Sequence, residues 1–421
     1  MVIVHRGYKT ELKLNNQQRS LCYKYAGCSR FAFNWGLKRK IEEYSKTGKS
    51  PSAIDLHREL VKLKQNEFQW MYSVSKCAPQ EALRNLDIAF KNFFRRVKNG
   101  ESPGFPCLKS RKKGIGSFRL TGVIRVFEDS IQLPRLGRLR LKERNYLPPE
   151  SDHVHILSVT ISEKAGRWFV SLQVQEEINP IKNTGPMVGV DVGIKWLATL
   201  SNGTTYDNPR ALARYERKLR RIQRTLPRKC KNSQNRAKAR LRFQRLHARI
   251  ANIRKNALHR VTSKLAKTKS VIVIESLHVN GMRKNHSLAK AVSDVSFAEF
   301  RRQLEYKTQW YGSRLVVAPQ FFPSSRRCSQ CGFIKTELSA KHNYHCKVCG
   351  LRIDRDLNAS INLLFVAVGF TETQNACYEA GGDSPLGQCP SMMQEPNREL
   401  MISHKIRKTE LILSSTLLTH G

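Results

Sequence analysis

The chain is short of acid. It carries 33 Asp and Glu against 75 Lys and Arg, a formal charge of +42 over 421 residues. A compact fold with that imbalance repels itself unless a polyanion neutralises it, so the composition points to nucleic acid as partner. An anionic membrane surface is the rival. No apolar run reaches the roughly 18 residues a membrane helix needs, and the opening MVIVHRGYKT has no apolar core of a signal peptide. The expected protein is therefore soluble and intracellular. A disulfide framework is also missing: 11 cysteines, an odd number in a long chain without a secretion signal, read as reduced thiols whose function rests on local clusters. At 40% hydrophobic residues the chain is too apolar to be a disordered basic tail.

What is present begins with VIVHRGYKTELKL, which alternates like a strand, and Asn15, Asn16 and Gln17, which suit a helix start. Helical patterning runs from there to about Asn99. Tyr25, Phe31, Phe33, Trp35 and Leu37 supply bulk. Ala82, Leu86, Ala89, Phe90, Phe93 and Phe94 recur at spacings of three and four on a helix that ends in Arg95, Arg96 and Lys98. Aromatics beside basic residues can stack bases, although more often they are core. Pro103, Gly104 and Pro106 break the helix, and Lys109, Arg111, Lys112 and Lys113 form a basic loop able to touch phosphates. From Ser117 to Ile178 short strands dominate; His153 to Ser162 and Arg167 to Val174 alternate around Lys164, Ala165 and Gly166 as a hairpin. A small β-barrel with a helical insertion is expected for this half. PIKNTGP, from Pro180 to Pro186, is the best linker candidate.

Residues 211–270 hold 21 Lys or Arg and one acid, Glu216. Leu212, Tyr215, Leu219, Ile222 and Leu226, then Leu246, Ile250, Ile253, Val261 and Leu265, have helical spacing on either side of Pro227. Two basic helices with one apolar stripe each are expected, antiparallel, presenting Arg217, Arg220, Arg221 and Arg224 to phosphates. A solvated charged face is the alternative, but charge of nearly one sign over so long a stretch favours a phosphate-facing surface.

Chemistry concentrates in three places. MVGVDVGIKWLATL suits a buried strand that turns back near Lys195, and it places Asp191 where an unpaired carboxylate would cost several kcal/mol. Backbone donors, an arginine or a metal ion would each offset that cost. SVIVIESL is a strand with Glu275 at its C-terminal end, where open α/β sheets place functional groups. A third apolar strand, Leu315 to Ala318, leads to Cys328-x2-Cys331 and, fourteen residues on, Cys346-x2-Cys349, each pair followed by glycine. That spacing is a zinc ribbon: four thiolates make a closed tetrahedral site, so the zinc is structural. His342 and His345 lie inside the ribbon loop, but four cysteines already saturate the ion. Behind it comes IDRDLNASINLL, where Asp354 or Asp356 caps a helix and the other is free to face Asp191 and Glu275.

GVDVGIKWLATLSNG, VIVIESL, FFPSSRRCSQCG, CKVCG and DRDLNASINLL resemble, in order and character, the transposon-encoded TnpB proteins, relatives of type V CRISPR effectors. YKTELKLNNQQ, RxxFNWGL and QEALRNLDIAFKNFFRR are similar to that family's helical recognition region. The resemblance covers roughly residues 1–365. It implies a multidomain α/β protein: a RuvC-like nuclease domain of RNase H fold at 186–325 and 351–366, interrupted by the zinc ribbon at 326–350. A β-barrel wedge domain at 1–14 and 104–185 would hold an inserted helical recognition domain at 15–103, and a flexible tail would follow at 367–421. It further implies a catalytic triad of Asp191, Glu275 and Asp356, with Asp354 in reserve, holding Mg²⁺. The implied partners are a guide RNA from the element's own end and double-stranded DNA, cut beside a short adjacent motif by a protein expected to be monomeric. Two readings compete: a guided DNA-binding repressor that no longer cuts, against which an intact triad speaks, and an unguided transposase or resolvase. No motif places a tyrosine nucleophile.

Overall fold

Alternation in the first residues produces β1 (Val2–Lys13) in the computed structural model, which describes residues 2–111, 114–336 and 343–368. Asn15 then opens α1 (Asn16–Thr47) with a capping box: its side chain accepts from the Gln18 N–H, and the Gln18 side chain accepts from the Asn15 N–H. α2 (Ala53–Asn66) and α3 (Cys77–Lys98) complete a helical layer. Strands follow: β2 (Ser117–Leu120), β3 (Arg125–Val126), β4 (Ser130–Leu133), β5 (Gly137–Leu141), β6 (Val154–Lys164) and β7 (Arg167–Ile178). The hairpin read around Ala165 and Gly166 is present, with both residues at positive φ (57° and 77°), as a two-residue type I′ turn requires.

These strands form one antiparallel sheet in the order β2-β6-β7-β1-β5-β4-β3. β1 pairs with β7 from Val2 to Glu11 and crosses to β5 only at Leu12 and Lys13. The expected barrel does not close. Its edge strands, β2 and β3, are four and two residues long and do not pair with each other, and the helices share a core with one face of the sheet. Tyr25, Leu37, Leu56, Leu83 and Leu86 of the helices share one core with Phe118, Leu120, Ile161, Val170 and Leu172 of the strands. The Tyr25 ring lies 4.9 Å from Phe118, and its hydroxyl donates to the Pro134 carbonyl at 3.2 Å.

A second sheet follows: β8 (Val188–Asp191), β9 (Trp196–Leu200), β10 (Thr205–Asp207), then β11 (Val271–Ile274) and β12 (Arg314–Val317). Its order is β10-β9-β8-β11-β12, antiparallel among the first three and parallel from β8 to β12. That is the arrangement of an RNase H-like fold. Between β10 and β11 stand α4 (Ala211–Thr225) and α5 (Gln234–Thr268), packed through Leu212, Tyr215, Leu219 and Ile222 against Leu246, Ile250 and Ile253. α6 (Val279–Met282), α7 (Ala289–Val295) and α8 (Phe297–Tyr311) lead to β12. Finally β13 (Asn343–His345), β14 (Arg352–Asp354) and α9 (Arg355–Val368) close the described chain.

The VIVI run is buried on both faces because the sheet is covered on both. Ile272 and Ile274 meet Leu258, Val261 and Leu265 of α5 and Phe300 and Leu304 of α8, while Val273 meets Leu363 of α9. No helix among the described residues is long and apolar enough to cross a membrane. The tail from 369 onward, with Cys377 and Cys389, lies outside the described residues, as do Lys112, Lys113 and His342.

Candidate active site and metal centre

Parallel pairing of β8 with β11 matches Val190 to Ile274, so Asp191 and Glu275 project side by side from the C-terminal edge of the sheet. The third carboxylate arrives with α9. Asp354 accepts from the N–H groups of Asp356 (2.9 Å) and Leu357 (3.2 Å) and is therefore the helix cap, which leaves Asp356 unengaged by the cap and free to face the sheet. α9 lies directly on β8 at Gly189: a Cβ built there would come within 2.0 Å of the Ser360 carbonyl and 2.6 Å of the Leu364 nitrogen. Only glycine permits that approach. Gly189→Ala is expected to lift α9 off the sheet and cost about 1–3 kcal/mol, the usual price of overpacking. A melting temperature equal to that of the wild type would sink this account.

Burial pushes the Asp191 carboxyl up to about 8, helped by the charges of Asp356 and Glu275 and opposed mainly by Arg355. Burial also raises Glu275. Few cations offset this: Arg355 stands 3.7 Å from Asp356, and Lys195 4.0 Å from Asp354. A cavity of 440 Å³ opens beside Glu275, with Val192, His278, Asn280, Arg283 and Arg301 in its wall. The site is thus reachable and rich in carboxylate, with Arg283, Arg301 and Arg302 lining the cavity beside it.

The cysteines converge. Cys328 and Cys349 sulfurs are 3.6 Å apart, as are those of Cys331 and Cys346, and all four lie within 4.8 Å of one another. Sulfurs about 3.8 Å apart are what a tetrahedral ion with bonds near 2.3 Å demands, so the donor set fits zinc. Two equivalent knuckles build it: the Gly332 N–H donates to Cys328 O and the Gly350 N–H to Cys346 O, with φ of 77° and 75° at the glycines. Among these closely spaced thiols, N–H donors from Cys349 and Val348 draw Cys346 down against its burial, while burial raises Cys328 and Cys331. His345 is exposed and is not among the converging ligands.

Two buried asparagines, whose roles the sequence did not disclose, fasten ribbon to helix. Asn358 donates to the Arg327 carbonyl (2.7 Å) and accepts from the Ser329 N–H (3.0 Å); Asn362 donates to the carbonyls of Ser324 and Arg327, both at 2.8 Å. Their spacing of four in an otherwise apolar helix is the signal that could have revealed them. Of the basic residues, Arg95, Arg96, Arg111, Arg217, Arg220, Arg221 and Arg224 are exposed. Arg220 is paired with Glu216, which also meets Lys290. Lys109 is turned toward the protein: its Nζ sits 3.7 Å from the Phe33 ring centroid, and its backbone exchanges hydrogen bonds with Asn34. A second basic surface, a cleft of 980 Å³ walled by Lys64, Lys76, Arg125 and Arg135, had no signature in the sequence.

The family described as "Probable transposase" (OrfB_IS605) matches residues 169–286, and "Cas12f1-like, TNB domain" matches 297–363, the span holding the ribbon. A relative from Streptomyces pristinaespiralis named "Putative RNA-guided DNA endonuclease" is 33% identical over 397 residues, covering 94% of this chain and 97% of that one. This chain belongs to the TnpB family. Another TnpB-family relative, "Putative RNA-guided DNA endonuclease InsQ" of Escherichia coli K12, is 32% identical over 85% of this chain and 91% of its own. A "Helix-turn-helix domain" model matches residues 1–49, although the described residues there form one strand and one helix of 32 residues. Overlap with the solved "Structure of the mini-RNA-guided endonuclease CRISPR-Cas_phi3" is slight, at a TM-score of 0.48 and 9% identity across 88% of this chain and 93% of that one.

Proposed function

We propose that this TnpB-family protein is an RNA-guided endonuclease of a transposable element, cutting double-stranded DNA beside a short adjacent motif at Asp191, Glu275 and Asp356. What supports the reading is that β8, the end of β11 and the first turn of α9 bring Asp191, Glu275 and Asp356 within electrostatic reach of one another: burial raises Asp191 first, and the charges of Asp356 and Glu275 add to it. The endonuclease relatives that the chain matches along most of its length supply the reaction class.

All-oxygen donors fit Mg²⁺, and when bound a pair of such ions would activate water and stabilise the leaving 3′ oxygen of a phosphodiester. Asp191, Glu275 and Asp356 would hold them. The remaining steps belong to the chain itself. Gly189 lets α9 lie against β8, Asp354 fixes the helix start, and Asn358 and Asn362 tie α9 to the carbonyls of Ser324 and Arg327 at the entry to the ribbon, whose four cysteines would hold the zinc. Exposed Arg217, Arg221 and Arg224 of α4, with Arg95, Arg96 and Arg111, offer positive charge to guide and target backbones, while base pairing reads sequence. The division into wedge (1–14 and 104–185), recognition (15–103), nuclease (186–325 and 351–366) and ribbon (326–350) parts is retained in this proposal, with an open sheet in place of the barrel.

The test is expression with the flanking DNA of the element, sequencing of the RNA that co-purifies, and cleavage in Mg²⁺ with the natural guide and a reprogrammed one. Cutting should follow the guide. Cutting indifferent to removal of RNA would return the protein to the unguided transposition enzymes, and guided binding without cutting would make it a repressor.

A further inference from the structure

The residue after the last parallel strand leaves the sheet next to the carboxylates. Val317 of β12 pairs with Ile274, and the Ala318 N–H donates to the Ile274 carbonyl at 2.8 Å, so the chain departs beside Glu275. The Phe322 N–H then donates to the Pro319 carbonyl at 3.2 Å and closes a four-residue turn. Phe321 occupies its third position with φ of 69°, where turns of the type II kind use glycine or asparagine. A bulky aromatic in left-handed backbone is a rare conformation that a fold does not adopt for its own benefit.

Nor does the ring repay the strain by packing. Phe321 is 86% exposed, the most exposed aromatic side chain among the described residues. Its surroundings are nonetheless fixed. Phe322 packs inward against the core of Val273, Ala318 and Leu363, and Asn362 of α9 holds the Ser324 carbonyl at 2.8 Å. Phe321 is therefore a bare aromatic face held out, on a firm base, from the edge of the sheet that carries Asp191 and Glu275. Gln320 and Arg326 beside it are exposed and polar.

We infer that Phe321 contacts substrate, stacking on an unpaired base of the DNA strand presented to the carboxylates. The inference rests on the endonuclease reading of that edge. A flat apolar partner covers the ring, a nucleobase offers such a face whatever its identity, and a chain of charge +42 recruits polyanions in preference to a second copy of itself. Stacking of this kind holds the strand beside the acidic centre without selecting sequence.

Two measurements decide it, each on full-length protein. In the first, a single-stranded oligonucleotide carrying 2-aminopurine is titrated into Asp191→Ala protein and into the same protein with Phe321→Gly or Phe321→Trp. Stacking quenches the fluorophore in the parent and the tryptophan variant and leaves it bright in the glycine variant. In the second, guide-loaded Phe321→Gly protein is expected to cut about 5- to 150-fold more slowly in single turnover, with guide retention unchanged and a melting temperature no lower than wild type. Glycine suits the positive φ, so a residue with only a structural role would gain rather than lose. Equal quenching in parent and glycine variant, or wild-type cutting by Phe321→Gly, overturns the inference. Absence of cutting by the wild type overturns the endonuclease reading instead, and the quenching titration still decides whether Phe321 stacks.

Discussion

Asp191→Asn is expected to raise the melting temperature of the metal-free protein while abolishing cleavage, two effects of opposite direction at one position. The folded protein holds the Asp191 proton up to about pH 8, whereas the unfolded chain releases it near its ordinary value of 3.8. Between those values the native state binds more protons at Asp191 than the unfolded one, so this group's contribution to stability is fully present below pH 3.8 and is lost as pH rises to about 8. At neutral pH the penalty is on the order of a few kcal/mol, at roughly 1.4 kcal/mol per pKa unit. Asparagine is neutral throughout and escapes it. Added Mg²⁺ or Mn²⁺ should raise the wild-type melting temperature, more at pH 8.5 than at pH 6.5 because the cation competes with the proton, and should leave Asp191→Asn unmoved. Cleavage should fall by at least about 10³-fold, since a ligand of the metal pair is lost. Thermal unfolding across pH, with and without divalent cation, checks the stability arm. A variant that melts below wild type and keeps the cation shift would remove Asp191 from the centre.

Cys328→Ser is expected to release the zinc and, although no cysteine touches a phosphate, to suppress cleavage as well. Structural zinc is worth about 10–16 kcal/mol to the segment it folds, and the ribbon supplies the Arg327 carbonyl, and the turn leading into it the Ser324 carbonyl, on which Asn358 and Asn362 depend. Losing those partners would leave buried amides unsatisfied, at about 1–3 kcal/mol each. α9 would then lose its register on β8, and Asp356 its place beside Asp191. Zinc content by elemental analysis and cleavage rate should fall together. A zinc-free variant that still cuts at the wild-type rate would show that the ribbon does not position the third carboxylate.

Local patterns told more than distant ones. Asp191 and Glu275 stand out in the sequence because a carboxylate ending a run of β-branched residues conflicts with burial, and the cysteines, which the fold does bring together, because two-residue spacing has few other uses. The choice between Asp354 and Asp356 stayed open in the sequence, since either can cap a helix; the cap hydrogen bonds assign Asp354 to that task. Gly189 reads as a strand glycine until α9, about 170 residues later, lies across it. The open sheet was equally hidden. Strand count and alternation look alike in a barrel and in a sheet capped by helices, and only the pairing of the edges separates them.

The segment Pro180–Pro186 has the composition of a linker, but it is sewn to the second sheet and its helices. The Asn183 N–H donates to the Gly312 carbonyl at 3.0 Å, its side chain donates to Ala266 O at 3.3 Å, and the Ser270 N–H donates to Gly185 O at 3.3 Å. Anyone dividing the polypeptide into two separately expressed halves, or inserting a reporter, would naturally choose this seam and would tear out the stitches that hold α5, β11 and α8 in line. The turn between α4 and α5 is the better place to open the chain: Pro227, Arg228, Cys230, Lys231 and Asn232 there are all exposed.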